Sequence, residues 1–476
     1  MLTWVVHLHY TVRKDGPAML SAGVARTDIT PPVGVAHANW GAAVHQRAEG
    51  VDMPFYSTAL YVTDGETNVA VVDMDICYVA ADEDQAIRER ISKQTGIPHD
   101  CIRLSSSHTH SGAHATPWVT EGTDLVESYL RELPEKLART VAQARRRARP
   151  VRTGSGVGEC RINVNRRPKA PDGELFTGRN WDGFVDHEVV VMAVDDLEGN
   201  PVATLVNFAC HPTVLGPPNR LLSPDYPGHV RRTVEQNVGG LCLFLQGAAG
   251  NQGPVDGFVG DVEVPRRLGR RLGIEAARVR LEIDPVPRRE RLVEIIPSGA
   301  DLGMYEDEPA GEPDATLRVV DRVVRLPAKE CRPLDELRAE LDRRIAELEE
   351  ARRGGDEAAI KTAVMRAKRA GIAFRVAERA SEGTVPVRVQ AIRIGSVALV
   401  GVPAEPFAEI GVEVKRRSPA GRTLFCGYSN GLTGYVPTAE AFEEGGYETR
   451  TTPFGPDAAQ AMIEACASAA GELWKD

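Results

Sequence analysis

No CxxC pair and no dense cluster of cysteines occurs in this sequence: Cys77, Cys101, Cys160, Cys210, Cys242, Cys331, Cys426 and Cys466 lie far apart. That spacing excludes a zinc ribbon and a disulfide scaffold, and reduced thiols are expected. No run approaches the roughly 20 apolar residues of a membrane-spanning helix, so no membrane span is expected. The opening stretch, MLTWVVHLHYTVRKDG, has an apolar run with no basic region ahead of it and no small-residue cleavage site after it. This argues against a secretory signal and for a cytoplasmic protein, with Met19 as an alternative start. Cations are not in excess: 57 Lys and Arg face 67 Asp and Glu, a net charge of -10. A chain of that charge has no electrostatic footprint for phosphate backbones, which excludes nucleic acid as a partner. Internal repeats are absent, and so is histidine after His229.

What is present is an ordinary globular composition, 42% hydrophobic and 26% charged, which rules out collagen-like, disordered and purely coiled-coil chains. At roughly one to two hundred residues per domain, the 476 residues allow two or three domains, or one large α/β unit with an insertion. Strand and helix signals alternate. Thr58 to Thr63 and Val69 to Met74 read as strands around the turn Asp64-Gly65, and Asp82 to Thr95 reads as a helix ended by Gly96-Ile97-Pro98. Cys101 to Leu104 reads as a strand delivering SSSHTHSG at its C-terminal end, where α/β sheets gather their functional groups. Glu127 to Ala148 reads as an amphipathic helix, and its basic end is a solvated last turn favoured by the dipole.

Val189 to Val194 and Val202 to Phe208 read as strands, the second running into Cys210-His211-Pro212. Leu241 to Leu245 reads as a strand entering QGAAGNQGP, followed by a helix from Val264 to Leu281. Leu334, Leu337, Leu341, Ile345 and Leu348 recur at helical spacing, Gly354-Gly355 interrupts, and Ala358 to Ala380 resumes, so residues 333–381 read as an inserted helical hairpin. Its charged faces are either solvated surface or a partner surface, which leaves a homo-oligomer open. Strands Val387 to Ile394 and Val397 to Val402, a glycine-rich region holding Tyr428, Tyr435 and Tyr447, and a helix ending near Trp474 complete the chain. The fold expected is α/β, a large mixed β-sheet core flanked by helices with the hairpin appended.

All eleven histidines precede residue 230, so the second half can offer a metal only carboxylates, phenols or thiols. His108, His110 and His114 crowd one loop, and in extended chain residues i and i+2 point to one side, so His108 and His110 can share a pocket. A hydrogen-bonded loop pair is the equally weighted alternative. His211 follows another apolar strand, so two strands end in histidine. Catalytic zinc takes about three protein ligands and leaves one position for water. Glu405, in GVPAEPF after the strand Val397 to Val402, is the complementary carboxylate or simply an acid opening the helix Ala408 to Arg416.

Taken in order, AGVARTDITPP (Ala22 to Pro32), SHTHSG (Ser107 to Gly112), INVNRRP (Ile162 to Pro168), NFACHPT (Asn207 to Thr213), SPDYPG (Ser223 to Gly228), LQGAAGNQGP (Leu245 to Pro254), VPAEPF (Val402 to Phe407) and SNGLTGYVPTAEAF (Ser429 to Phe442) resemble the catalytic domain of the neutral/alkaline non-lysosomal ceramidases. The resemblance spans about residues 21 to 460 and implies a catalytic domain over 21–476 after an N-terminal extension, 1–20. It implies Zn²⁺ held by His108, His211, Glu405 and Tyr435, with His110 outside the ligand set as general acid/base or oxyanion donor. Asn251, Arg166 and Asp225 fall in matched motifs as pocket groups. Two departures accompany the match: Gly253 stands where the family carries its serine nucleophile, and no counterpart of the family's C-terminal β-sandwich follows the tyrosine block.

The reaction expected is metal-assisted hydrolysis of a carbon–nitrogen amide bond in a small-molecule or lipid-like substrate, with zinc lowering the pKa of water to about 7. An esterase or phosphoesterase on the same scaffold, or a non-catalytic binding protein stabilised by metal, are the competing readings.

Overall fold

A computed structural model describes residues 19–475 apart from 38–39, 41–44, 115–118, 120, 287 and 311–312. Nearly all of the expected N-terminal extension lies outside the described residues. Eight strands form a mixed sheet in the spatial order Leu241–Gln246, Pro201–Phe208, Glu188–Asp196, Arg149–Glu159, Leu20–Asp28, Tyr56–Thr63, Asn68–Met74, Ile102–Ser106. Both end pairs are parallel and the pairs between them antiparallel. A second sheet of four strands runs Leu317–Pro327, Thr384–Ile394, Val397–Gly401, Arg422–Cys426.

The two-residue periodicity of the strands sorts side chains between layers. In Glu188–Asp196, Val190, Met192 and Val194 enter a core shared with the second sheet. Val189 and Val191 enter another core, against the helices Asp225–Val238 and Glu263–Glu282. The second sheet does the same: Ile392, Ile394 and Leu399 face the shared core, while Val389, Ala391 and Val400 pack with the helices Ala408–Arg417 and Ala458–Glu472. Glu188–Asp196, Thr384–Ile394 and Val397–Gly401 are therefore largely apolar on both faces because they are covered on both faces.

Leu20–Asp28, Arg149–Glu159, Arg288–Ile296, Leu302–Pro309, Leu317–Pro327 and Arg422–Cys426 went unread in the sequence, and for three of them the reason is physical. Arg149–Glu159 is glycine-rich and lacks apolar alternation because the helix behind it lies too close for side chains. An added Cβ at Gly154, Gly156 or Gly158 would stand 2.6, 2.9 and 2.1 Å from Ile283, Val279 and Glu275. Arg288–Ile296 pairs antiparallel with Leu302–Pro309 in a hairpin whose first strand is exposed throughout, so neither strand carries a buried stripe to read. The helices Leu334–Gly354 and Glu357–Ala380 pack on each other around Leu348, Ala363 and Ala367. All eight cysteines are free, and no described helix is long and apolar enough to cross a membrane.

Buried polar groups stitch the sheets together. Fully buried Arg103 donates from Nε to Gln390 Oε1 (3.0 Å) and from Nη2 to the carbonyls of Gln390 (2.6 Å) and Leu399 (3.2 Å). Asn207 Nδ2 donates to the carbonyls of Leu245 (2.8 Å) and Phe425 (3.0 Å). Beyond the last strand, Ser105 bridges Ser429, and Asn430 exchanges bonds with Leu104 through Oδ1 and its own N–H. These seams hold the strand ends of both sheets at one place.

Beneath that place Arg231 bonds Asp73 Oδ2 (3.2 Å) and Asp75 Oδ2, all three groups buried. Burial pushes the Asp73 carboxyl up to about 7 and Arg231 opposes the rise. Removing the one cation strands two acids in the core. Arg231→Met is expected to cost about 3–5 kcal/mol in urea unfolding at neutral pH, and less in acid, where the stranded carboxyls take protons. A loss under about 1 kcal/mol would instead mean that the triad behaves like a solvated surface pair.

Candidate metal centre

His108 follows the strand Ile102–Ser106 in a left-handed conformation, φ 69°, fixed by its N–H bonding the Ile76 carbonyl (2.9 Å). Its Nδ1 lies 2.7 Å from the Cys77 carbonyl. A carbonyl can only accept, so Nδ1 carries the proton and Nε2 presents a lone pair. His211, just beyond the strand Pro201–Phe208, is set the same way, with Nδ1 donating to the Ala249 carbonyl (2.9 Å). Glu405 pairs in register with Tyr435 in a short parallel bridge, its N–H bonding the Gly434 carbonyl (2.9 Å).

Three electron-rich atoms consequently converge in a buried space. The two Nε2 atoms are 3.1 Å apart, and Glu405 Oε2 is 3.5 Å from each. No hydrogen-bond donor reaches that carboxylate oxygen among the described residues. Such an arrangement is repulsive unless a positive charge sits between the atoms. Ligands bound at ~2.1 Å in tetrahedral array stand roughly 3.4 Å from one another, which the observed edges bracket. Two imidazoles and a carboxylate suit Zn²⁺, and nitrogen–oxygen sets also hold iron or manganese. The protonation energetics say the same: burial lowers the His108 pKa, but Cys77 and Glu405 draw it up to about 10, so the cluster takes a cation in the form of a proton.

The sequence pattern described as neutral/alkaline non-lysosomal ceramidase, N-terminal, matches residues 20–258. The chain belongs to this family. Neutral ceramidase from Pseudomonas aeruginosa is 23% identical over 491 residues, covering 91% of this chain and 69% of that protein. Neutral ceramidase A from Dictyostelium discoideum is 27% identical over 242 residues, 49% of this chain and 34% of that protein. A crystal structure of the Pseudomonas aeruginosa neutral ceramidase superimposes with a TM-score of 0.66 at 19% identity, over 96% of this chain and 75% of that one, and shows that the fold is shared. The chain thus spans about a third of the length of its Dictyostelium relative.

The remaining groups of this ceramidase-family site fall into two sets. His110 joins the cluster: its Nε2 is 3.3 Å from His108 Nε2, and its ring lies 5.0 Å from Trp40. A second potential metal group, Cys77, His108 and His110, shares His108. Cys77 Sγ lies 3.8 Å from His108 Nδ1, the nitrogen already given to the Cys77 carbonyl, whereas His211 and Glu405 both face His108 Nε2. Tyr435 is buried beside Glu405, and Arg166 lies 5.3 Å over its ring while donating from Nε to Glu448 (3.0 Å). Burial and the Glu405 charge hold the Tyr435 phenol well above its ordinary range, and Arg166 pulls against them.

Asn251 and Asp225 belong to the supporting frame and not to the cluster. Asn251 Nδ2 donates to Glu409 (2.8 Å), and its Oδ1 accepts from Ala408 N (2.9 Å) and Gln252 Nε2 (3.0 Å), tying the small-residue loop to a helix start. Asp225 spends its oxygens on the N–H groups of Leu215 (2.9 Å) and Tyr226 (2.6 Å), and burial pushes its carboxyl up to about 7. Sequence reasoning undervalued Tyr428, whose ring lies 4.2 Å from that of His108 and whose Oη is 3.4 Å from His211 Nδ1. Its φ of 51° is the only unusual feature about it, and a sequence does not display a dihedral angle.

Purified protein is expected to return about one divalent transition ion per chain on elemental analysis, with His211→Ala and Glu405→Gln folded but depleted. At a hundredfold excess over Kd the ion contributes ~2.7 kcal/mol to stability, visible as a raised thermal midpoint. Affinity falls as pH falls, because the imidazoles bind only when unprotonated. Folded protein that stays metal-free in every reconstitution would remove the assignment.

Proposed function

We propose that this member of the ceramidase family is a zinc-dependent amidohydrolase that cleaves the carbon–nitrogen bond of an acylated amine without a serine nucleophile. The convergence of His108 Nε2, His211 Nε2 and Glu405 Oε2 carries the reading. These groups, with Tyr435 as the fourth candidate ligand, would hold a divalent ion, which would supply Lewis acidity for water and for the scissile carbonyl. The protein does the rest. His110, wedged between His108 and Trp40, is placed to accept a proton from the attacking water and return it to the leaving nitrogen. Arg166 anchors the Tyr435 ring and, with Glu448, fixes that wall of the pocket.

Two observations support a water nucleophile. Position 253 is glycine, so it offers no hydroxyl, and an added Cβ there would press on Arg166 Cβ at 3.2 Å. Three nearby serines are engaged elsewhere: Ser223 Oγ donates to Asp52 (2.8 Å), Ser105 pairs with Ser429 (3.1 Å), and Ser111 Oγ accepts from Asn219 (3.1 Å), whereas the buried Ser107 Oγ has no partner among the described residues and is the hydroxyl that a serine-directed fluorophosphonate addresses. The neutral ceramidases among its relatives suggest a lipid-like acyl chain, and the partly exposed Phe258, edge-on to Trp40 at 5.6 Å, offers an apolar wall for one.

The test is a panel of amide, carboxyl ester and phosphodiester substrates with matched acyl chains, given to metal-loaded protein. Amide turnover is expected, with no acyl-enzyme burst and no adduct from a serine-directed fluorophosphonate. His110→Ala should retain metal and lose about 10²–10⁴ in kcat. A labelled serine, or turnover confined to esters, would overturn the proposal.

A further inference from the structure

In the small-residue loop that follows the strand Leu241–Gln246, four backbone groups bond residues that carry or adjoin the candidate centre. The Ala249 carbonyl accepts from His211 Nδ1 (2.9 Å), and the Gln252 carbonyl accepts from the His211 N–H (3.1 Å). The Gly250 N–H donates to the carbonyl of Pro406 (2.8 Å), the residue after Glu405, and the Asn251 carbonyl accepts from the Arg166 N–H (2.9 Å). An added Cβ at Gly250 would stand 2.5 Å from the Glu405 carbonyl oxygen, so this backbone lies directly against that residue. One loop thus grips both His211 and the stretch that carries Glu405.

One buried side chain reinforces the second grip. Asn251, 1% exposed, accepts at Oδ1 from the Ala408 N–H (2.9 Å) and from Gln252 Nε2 (3.0 Å), and donates from Nδ2 to Glu409 Oε2 (2.8 Å). The helix Ala408–Arg417 receives no cap from its own leading side chain, Phe407, so Asn251 supplies from outside the oxygen that its first N–H needs. The chemistry there calls for an amide. The Ala408 N–H can only donate, so Oδ1 faces it, and that turns Nδ2 to the Glu409 carboxylate. Aspartate would have no hydrogen for Glu409 and would set two carboxylates against each other away from water. Alanine would leave three groups without their partner.

We infer that Asn251 is a positioning residue for the ion: its bonds to Ala408 and Glu409 fix the loop against the start of that helix, and so hold His211 Nε2 and Glu405 Oε2 at their 3.5 Å separation, short enough for one cation to share. Asn251 acts through Ala249 and Gly250 without entering the cluster. This rests on the reading of His108, His211 and Glu405 as a metal centre. It is measured without substrate, so it stands or falls apart from the amide chemistry.

The test is the Zn²⁺ affinity of the full chain, by competition with a chromophoric chelator, together with the thermal midpoints of apo and Zn²⁺-loaded protein. Asn251→Ala is expected to lose about 10–100-fold in affinity, and the gap between its two midpoints should narrow. Asn251→Asp should lose at least as much. Exchanging donor and acceptor in an Asn251→Asp/Glu409→Gln double variant restores the bond, because the amide at 409 donates to the carboxylate at 251 while the Ala408 N–H keeps an oxygen. Its affinity should return towards that of the wild type. The visible spectrum of Co²⁺-loaded protein should follow the same course, altered in Asn251→Ala and restored in the double variant. An Asn251→Ala protein that is less stable but keeps wild-type affinity and spectrum makes the residue an ordinary brace and overturns the inference. A double variant that binds no more tightly than Asn251→Asp overturns it too. So does failure of all three variants to fold with Zn²⁺ present, which would place Asn251 in the fold at large. Wild-type protein that takes up neither ion removes the metal centre itself, and this inference with it.

Discussion

Inside a buried space, the lone pairs of two imidazoles and one carboxylate oxygen are aimed at a common point. Their partners on the far side, the Cys77 and Ala249 carbonyls, forbid either ring to turn its N–H inward without breaking a buried bond. The packing around them therefore commits the chain to a positive charge at that point. Much of the surrounding architecture can be understood as the cost of keeping three mutually repelling atoms in place.

Part of that cost is carried by the backbone. Five non-glycine residues hold positive φ among the described residues: His108, Asp225, Phe258, Tyr428 and Asn430. Three of them contact the cluster or its aromatic wall, and the other two brace the loops that carry it, Asp225 through Leu215 and Asn430 through Leu104. Left-handed conformations of side-chain-bearing residues persist only where the surroundings over-determine them. For Tyr428 and Asn430 the bonds doing so also join the two sheets, through Ser106 and Leu104.

The sequence made the strand ends legible because strands covered on both faces read as unbroken apolar runs, and histidines placed directly after them stand out against Ser, Gly and Ala. The order of motifs made the family legible, and with it Glu405 and Tyr435. The glycine-rich strand Arg149–Glu159 and the projecting hairpin near Leu292 escaped, since one has close helix contact in place of apolar alternation and the other has no buried face. Asn251 and Asp225 sit in matched motifs as His108, His211 and Glu405 do, and the hydrogen bonds that tie them to Glu409, Ala408, Leu215 and Tyr226 are visible only in the structure. Tyr428 was visible as a residue but not as a neighbour of His108, because that adjacency comes from a turn and not from spacing.

The three converging groups hang from different halves of the molecule. His108 and His211 terminate strands of the larger sheet, whereas Glu405 arrives from the smaller one, more than a hundred residues after the stretch that the family pattern covers. A polypeptide cut near residue 258 would own both imidazoles and no carboxylate to share their load. The seam between the sheets is thus also the boundary across which the site is assembled, and neither half on its own inherits the chemistry.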